Sequence, residues 1–364
     1  MENYIRQSIG IDCSKDELAV CFGQLSENFK VQHRATRLFA NTSGGIGQLL
    51  KWSKQLADSK KELTYVVEAT GVYHERMAHY LHEHGCKVSV VLPNKAKHFS
   101  QTLTIKTVND KEASKMLATL GLEKNLDAWQ PPHPVFSLLK QLTRERCQLL
   151  QECNRTGNQL HALEKSALGN DSSMARMKTR LRLLEKQIIE IELEVRRLVN
   201  DDNDLAEKID KVCTIKGVGL ITVVTIIAEA DGFNLIRNKK QLVSYAGYDV
   251  VQKVSGTSVR GKARISGRGN KHIRKCLYMP ALVAVKFNPE HRAFYQRLEE
   301  KHGIKMKAYT AVQRKLLVLI YTLWKKNEAY NPEHVQEDEK NLGQSQRIGT
   351  ALTELDQVRS CFTS

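Results

Sequence analysis

The feature that most constrains the fold is a carboxylate inside an apolar strand. Residues 9–20 read IGIDCSKDELAV, and Asp12 lies within the apolar run. A charged carboxylate in such a run costs several kcal/mol of desolvation unless a partner or a cation compensates it. The nearest basic residue, Lys15, lies in the following turn and offers Asp12 no partner on its own side of the strand. The strand therefore predicts a fold that brings other groups to Asp12.

Two further acids occupy comparable positions. Glu68 ends the apolar run LTYVVE, and Asp110 opens DKEASKMLATLG, a segment with the composition of a helix. Each acid alone has an ordinary explanation, since aspartate is common in turns and at helix starts. Together, three carboxylates from separate elements can converge on hard divalent cations such as Mg²⁺, and two such ions about 4 Å apart clamp the reacting oxygens of a phosphodiester. We therefore expect a Mg²⁺ site at Asp12, Glu68 and Asp110.

The net charge narrows the class of partner. The 364 residues contain 56 Lys and Arg against 40 Asp and Glu, and the resulting formal charge of +16 is typical of proteins that bind nucleic acid. No run approaches the ~18 apolar residues that cross a bilayer, and the first residues lack the apolar stretch of a secretory signal. The eight cysteines form no Cys-x-x-Cys pair, so neither a zinc site nor a disulfide framework is expected. The composition predicts a reduced, cytoplasmic protein with no membrane partner.

Element patterns divide the chain into four parts. Residues 1–128 alternate strand and helix patterns, beginning with a hairpin, and predict an α/β domain. Residues 135–200 follow the prolines of WQPPHP and space apolar residues by three and four, which predicts a coiled-coil arm with its turn at 168–174; a plain helical bundle fits the same pattern. Residues 205–328 are mainly helical around a loop rich in glycine and arginine, and residues 331–364 are polar and predicted to be disordered.

The glycine- and arginine-rich loop is the leading candidate for nucleic-acid contact. Residues 253–275 contain eight Lys or Arg and no acid. Basic side chains neutralise phosphates, and glycines let a backbone approach its partner closely. A solvated surface loop is the alternative. The candidate phosphate ligands are Lys253, Arg260, Lys262, Arg264, Arg268, Lys271 and Arg274.

Three segments together resemble a known family. GIDCSKDELAV, VVEATGVYHERMAHYL and KTVNDKEASKMLATLGLE are similar to the RuvC-like domain of DEDD-type insertion-sequence transposases, the family of pilin-gene invertases and bridge-RNA-guided recombinases. The likeness extends to about residue 330. It implies an α/β RNase H-like (RuvC-like) domain, a helical coiled-coil middle region and a mainly helical C-terminal transposase domain. It also implies that Asp12, Glu68 and Asp110 are catalytic and bind Mg²⁺.

The chain departs from the family at the fourth acid. The family usually reads Asp-x-x-Asp-Ala, and this chain has Ala113 at the second aspartate. Glu112 or Ser114 can take its place, and Ser114 shares a helical face with Asp110. The departure leaves a site of three acids as the expectation.

The resemblance also implies a serine nucleophile. Ser255, in VSG, matches the family's position, and Ser258 and Ser266 are nearby competitors. A serine needs activation by a base or a metal before it attacks. The implied protein is a DNA recombinase that is guided by a structured bridge RNA and works as a homo-oligomer, either a dimer or a tetramer. Two other functions stay open: a metal-dependent nuclease of the resolvase type, and an inactive nucleic-acid-binding relative.

Overall fold

The computed structural model describes residues 4–69, 71–103, 109–234, 236–252, 254–255, 259–261 and 264–331. By packing, the chain divides into two units, Met1–Pro131 and Pro132–Ser364. Their boundary lies within WQPPHP, where the prolines prevent a helix from continuing. The further division of the second unit into an arm and a C-terminal domain stays a prediction, and the predicted tail beyond Asn331 lies outside the described residues.

The first unit is built on a sheet of five strands among its described residues. They are β1 (Tyr4–Cys13), β2 (Glu17–Ser26), β3 (Val31–Ala40), β4 (Leu63–Glu68) and β5 (Lys87–Val91). Their order is β3-β2-β1-β4-β5; β1 to β3 are antiparallel neighbours, whereas β4 runs parallel to β1 and β5 parallel to β4. This is the strand order of RNase H-like domains, and it confirms the predicted fold class.

Helices accompany this sheet in the described residues. They are α1 (Ser43–Leu56), α2 (Glu75–Glu83), α3 (Pro93–Ser100) and α4 (Asp110–Glu123). Thr42 caps α1, because its hydroxyl accepts the N–H of Gly45. The sequence pattern did not predict α3, which begins at Pro93. Proline suits the first position of a helix, where its missing N–H needs no partner.

Alternation along β1 sorts its residues between two faces of the sheet. Ile9 and Ile11 pack into the apolar core shared with α1 and α2. Gly10 lies on the opposite face, where a Cβ would come within 2.0 Å of the Ser114 carbonyl oxygen and 2.2 Å of the Ala118 nitrogen. Only glycine allows so close an approach. The backbone of α4 therefore lies directly against the central strand.

The second unit is mostly helical in its described residues. Its helices are α5 (Pro134–Glu164), α6 (Asp171–Asn200), α7 (Asn203–Cys213), α8 (Leu220–Glu229), α9 (Lys239–Ala246), α10 (Lys271–Cys276), α11 (Tyr278–Phe287), α12 (Pro289–His302) and α13 (Lys305–Lys326). The core is centred on α8 and α13, where Val224, Ile227, Leu316 and Ile320 are fully buried. Within the described part of the chain, no helix has both the length and the apolar character that a bilayer-spanning segment needs.

The first two helices of this unit form an antiparallel pair. Arg146 Nε lies 2.7 Å from Glu192, and Glu164 lies 3.2 Å from Lys178 Nζ, so early residues of α5 meet late residues of α6. The predicted pair of helices is thus present. Its turn spans residues 165–170 instead of the predicted 168–174, because α5 ends at Glu164 and Asn170 caps α6 by accepting the Ser173 N–H.

Short strands interrupt the helices where the sequence predicted an irregular loop. They are β6 (Val250–Val251), β7 (Val254–Ser255), β8 (Val259–Arg260) and β9 (Arg264–Ile265), and we call them the basic ribbon. β6 pairs antiparallel with β9, and β7 with β8. Valine and isoleucine favour extended backbone, and they explain pairing in a segment whose glycines suggested a loop.

Replacing Gly10 with alanine should destabilise the first unit. The new methyl group would meet backbone atoms of α4, which cannot move aside as a flexible side chain can. We expect a loss of about 2–3 kcal/mol, measured by urea unfolding of the full chain. Gly44→Ala is the matched control, because nothing lies within 4 Å of its Cβ position and alanine favours the helix. Equal stability of the two variants would contradict the close packing of α4 on β1.

Candidate active site

The carboxyl ends of β1 and β4 bring two acids side by side. Ile11 pairs with Val67 in the parallel ladder, so the residues that follow them, Asp12 and Glu68, are neighbours at one edge of the sheet. Side chains alternate along a strand, and Gly10, two residues before Asp12, faces α4. Asp12 therefore lies on the face of the sheet that α4 covers.

Asp110 reaches the same edge from α4, which begins at this residue. Burial, followed by the charges of Asp110 and Glu68, raises the pKa of Asp12 to about 6, against the opposing effect of the Cys13 N–H. Asp110 and Glu68 are thus close enough to Asp12 for their charges to raise its pKa. Their convergence is a property of the folded unit, since they come from three separate elements.

Mutual repulsion of this kind is what a cation relieves. Carboxylate oxygens are the ligands that hard divalent ions prefer, so the donor set of Asp12, Glu68 and Asp110 fits Mg²⁺. As they stand, the described residues contain no group of three or more His, Cys, Asp or Glu side chains gathered to hold a metal ion.

Both residues considered for the fourth acid have other partners. Ser114 is buried, and its hydroxyl donates to the Lys111 carbonyl at 2.8 Å. Glu112 lies 2.7 Å from Lys115 Nζ, and this hydrogen bond lowers the pKa of Glu112. Because α4 starts at Asp110, Ala113 occupies the position one helical turn further on.

The basic ribbon contains the predicted nucleophile. Ser255 ends β7, and its backbone pairs with Val259 of β8. The roles of several predicted residues stay predictions, because their side chains lie outside the described part of the structure. These residues are Lys253, Ser255, Ser258, Arg260 and Lys262.

A pair of polar residues closes the base of the ribbon. The hydroxyl of Ser266 donates to Asp249 Oδ1 at 2.6 Å, and the Ser266 N–H donates to the Asp249 carbonyl at 2.7 Å. Ser266 thus has a carboxylate partner, and the choice between Ser255 and Ser266 as the nucleophile stays a prediction. Among the candidate phosphate ligands, the exposed side chains are Arg264, Arg268 and Lys271.

The chain turns tightly where the ribbon joins the helices. Gly247 has a φ of 76°, a left-handed conformation that favours glycine, and a Cβ on Gly269 would lie 2.4 Å from the Gly247 nitrogen. Arg274 is half-buried, and its Nη1 donates to the Ala246 carbonyl at 2.7 Å. This bond braces α10 against α9, and a role for Arg274 in phosphate binding stays a prediction.

A buried ion pair that the sequence did not predict anchors the end of the ribbon. Glu229 closes α8 with its side chain fully buried, and it accepts two bonds from Arg144 of α5, at 2.6 and 2.9 Å. Asn270 Nδ2 donates to the same carboxylate at 2.7 Å, while its Oδ1 caps α10 by accepting the His272 N–H. The available signal was an acid in an apolar helix, the same kind of signal as Asp12 in its strand.

The pKa values of Asp12 and Glu229 shift in opposite directions. Burial alone would raise the pKa of Glu229, but the hydrogen bonds from Arg144 and Asn270 and the charge of Arg144 hold that pKa below its usual range. Glu229 is therefore ionised and satisfied within the protein. Asp12, in contrast, faces two like charges.

The fold and the site together define a class of protein. An RNase H-like unit carries three acids at the carboxyl edge of its central strands, and a helical unit of the same chain carries a basic ribbon. Residues 9–166 match the DEDD-type IS110 transposase profile, and residues 209–296 match the profile described as transposase IS116/IS110/IS902 family. The chain therefore carries the two domains of IS110-type transposases, enzymes that cut and rejoin DNA. These domains imply a DNA substrate and a divalent-metal-dependent site.

Relatives of known name agree with this assignment. The pilin gene-inverting proteins of Moraxella bovis and Moraxella lacunata are each 28% identical over 331 residues, which is 89% of this chain and 97% of each relative. Among solved structures, RuvC of Thermus thermophilus in complex with Holliday junction substrate matches with 12% identity and a TM-score of 0.25, over 31% of this chain and 91% of that chain. The strand order of the first unit, rather than this alignment, defines the fold.

Removing Arg144 should cost more stability than neutralising Glu229. Arg144→Ala leaves a fully buried carboxylate without its charge partner, and we expect a loss of about 3 kcal/mol. Glu229→Gln keeps an acceptor for Asn270 and leaves a guanidinium that water reaches, since the Arg144 side chain is 44% exposed. For this variant we expect about 1–2 kcal/mol. Urea unfolding at pH 7 measures both.

The same pair predicts a sensitivity to acid. Because the folded pKa of Glu229 is depressed, its contribution to stability is complete above the unfolded pKa of about 4.3 and is lost as the pH falls through the folded value. Between pH 6 and pH 3 the wild type should therefore lose more stability than Glu229→Gln. Parallel pH profiles for the two proteins would contradict an ionised Glu229.

Proposed function

We propose that this protein recombines DNA by serine attack, with Asp12, Glu68 and Asp110 holding Mg²⁺ beside the reacting phosphate. The observation that carries the proposal is the placement of Asp12, Glu68 and Asp110 at one edge of an RNase H-like sheet, where the other two acids raise the pKa of Asp12. Such an edge has the charge to collect divalent cations. The match to transposase domains supports DNA as the substrate on which these cations act.

The proposed chemistry conserves the energy of the phosphodiester. Ser255 Oγ loses its proton to solvent and attacks phosphorus; a phosphoserine bond forms, and the bond to the leaving sugar oxygen breaks as that oxygen takes up a proton. The hydroxyl of an exchanged strand then attacks the phosphoserine, which rejoins the DNA and restores the serine. Bound Mg²⁺ supplies stabilisation of the negative charge that builds on the phosphate. The acids hold and orient that ion.

The basic ribbon is proposed to contact the nucleic-acid backbone. Arg264, Arg268 and Lys271 are exposed, and a two-stranded ribbon is one of the elements that the DNA major groove admits. Lys253, Arg260, Lys262 and Arg274 are proposed as further contacts. A structured guide RNA is proposed as the second nucleic acid, and its base pairing would select the sequence. The formal charge of +16 supports binding of more than one polyanion.

Oligomerisation is proposed to occur through α5 and α6. On α6 the side chains of Leu183, Ile189 and Leu193 are 54%, 59% and 61% exposed. Ile189 and Leu193 lie one helical turn apart and so share a face. A second copy that covered this apolar surface would form a dimer or, with two such contacts, a tetramer.

Covalent trapping separates the proposed reaction from its alternatives. The protein is incubated with Mg²⁺ and DNA that carries the ends of its own element, then denatured and resolved by electrophoresis. Wild type should retain a covalent protein–DNA adduct, and Ser255→Ala should lose it completely. Ser266→Ala is the matched control and should keep a reduced amount, because its hydroxyl bonds Asp249 rather than DNA. Metal-dependent cutting that survives in Ser255→Ala would instead establish a nuclease, and an adduct in that variant would exclude Ser255.

Restoring a fourth acid should lower the requirement for Mg²⁺. In Ala113→Asp a new carboxylate lies one helical turn from Asp110 and adds negative charge to the site. Ala113→Asn is the matched control, because it has the same size without the charge. Activity titrated against Mg²⁺ measures the half-saturating concentration in each form, which should fall several-fold for aspartate alone. No change in Ala113→Asp, together with loss of activity in Glu112→Gln, would make Glu112 the fourth ligand.

A further inference from the structure

Asn41 lies where several segments of the acid-bearing edge meet. Its side-chain Nδ2 donates to the carbonyl of Ser14 at 2.9 Å and to the carbonyl of Tyr73 at 3.0 Å. Its backbone N–H donates to the carbonyl of Asp16 at 2.8 Å. The residue is buried, with 8% of its surface exposed. One asparagine therefore holds three backbone carbonyls.

These carbonyls belong to the loops that follow the two acid-bearing strands. Ser14 comes directly after the end of β1, which carries Asp12, and Tyr73 lies in the segment between β4 and α2, which follows Glu68. Both partners of the side chain are carbonyl oxygens, so only the NH₂ group of Asn41 can face them. The orientation of the amide is thus set by chemistry.

The repulsion between the acids gives this bridge a task. Like charges at the ends of adjacent strands repel one another, and a bound cation would reduce that repulsion. The Asn41 side chain opposes separation of the strand ends, because it bonds both following loops at once. Its position at the end of β3, ahead of the Thr42 cap of α1, ties it to two further elements of the unit.

We propose that Asn41 is a positioning residue that sets the spacing of Asp12 and Glu68 and thereby the affinity of the site for divalent cations. The inference rests on the proposed function, since it presumes that these two acids bind the ion. Hydrogen-bonding partners that hold metal ligands in place typically change metal affinity by 10- to 100-fold. Asn41 does not contact the acids themselves in this way; it bonds the backbone of the loops that follow them.

The test measures the affinity of the full chain for Mn²⁺ in the absence of DNA. The electron paramagnetic resonance signal of the free ion reports how much Mn²⁺ remains unbound. Asn41→Ala should weaken binding about 10-fold. Gln7→Ala is the matched control. Gln7 is also buried, and its Nε2 donates to the carbonyls of Asp58 and Lys61 at 2.8 and 2.9 Å, at the opposite end of β1. Gln7→Ala removes the same kind of bridge far from the acids, so the Mn²⁺ affinity of this variant should stay within two-fold of wild type.

A third variant separates failure of this inference from failure of the proposed function. Asp12→Asn with wild-type Mn²⁺ binding would overturn the proposed metal site itself. Loss of binding in Asp12→Asn with wild-type binding in Asn41→Ala would overturn the positioning role alone. Equal losses in Gln7→Ala and Asn41→Ala would also overturn it, since the effect would then be general loosening of the unit.

Circular dichroism establishes that each variant is folded before binding is measured. If Asn41→Ala does not fold, Asn41→Ser takes its place, because its hydroxyl keeps a donor for one of the two carbonyls. Asn41→Ser should bind Mn²⁺ more weakly than wild type. Its loss of affinity should be smaller than the 10-fold loss expected for Asn41→Ala. Wild-type affinity in a folded Asn41→Ser would overturn the proposal.

Discussion

The close contact between Gly10 and α4 is what the acid-bearing edge depends on. Because Gly10 has no side chain, α4 lies against the backbone of β1, and its first residue, Asp110, is carried to the strand end where Asp12 stands. A larger residue would lift the helix from the sheet and widen the gap between the two acids. The spacing of the site is therefore set by packing in the middle of the sheet as well as by the loops at its edge.

The two units use acids in apolar segments in different ways. Asp12 meets the charges of Asp110 and Glu68, and its pKa rises, whereas Glu229 meets Arg144 and an amide, and its pKa falls. A carboxylate whose oxygens are already paired inside the protein has little remaining capacity to bind a ligand. Removing it lowers the stability of the fold. A carboxylate surrounded by like charges is costly to the fold and retains its affinity for a cation. The partners of the acid, more than its burial, distinguish a structural role from a proposed catalytic one.

The apolar periodicity of the sequence predicted those strands and helices that local interactions determine. The strands and helices around Asp12, Glu68 and Asp110 follow from apolar periodicity, and parallel pairing then brings two of these acids together. The sequence pattern did not predict the start of α3, because a proline can follow the end of a strand as well as begin a helix. The partners of Arg144 and Asn41 were out of reach, since Arg144 bonds a residue 85 positions away and no periodicity encodes such a pair. The ribbon was hidden by glycines that suggest a loop.

The helical pair of α5 and α6 is rooted at one end. Leu139, early in α5, and Val195, late in α6, belong to the core of the second unit. The 31 residues of α5 extend about 46 Å, so a rotation of about 5° at the root moves the far end by about 4 Å. The root also carries Arg144, whose partner Glu229 holds Asn270 at the base of the ribbon. A force on the far end of this helical pair would therefore reach Asn270, the N-cap of α10, through the bonds of Arg144 and Asn270 to Glu229.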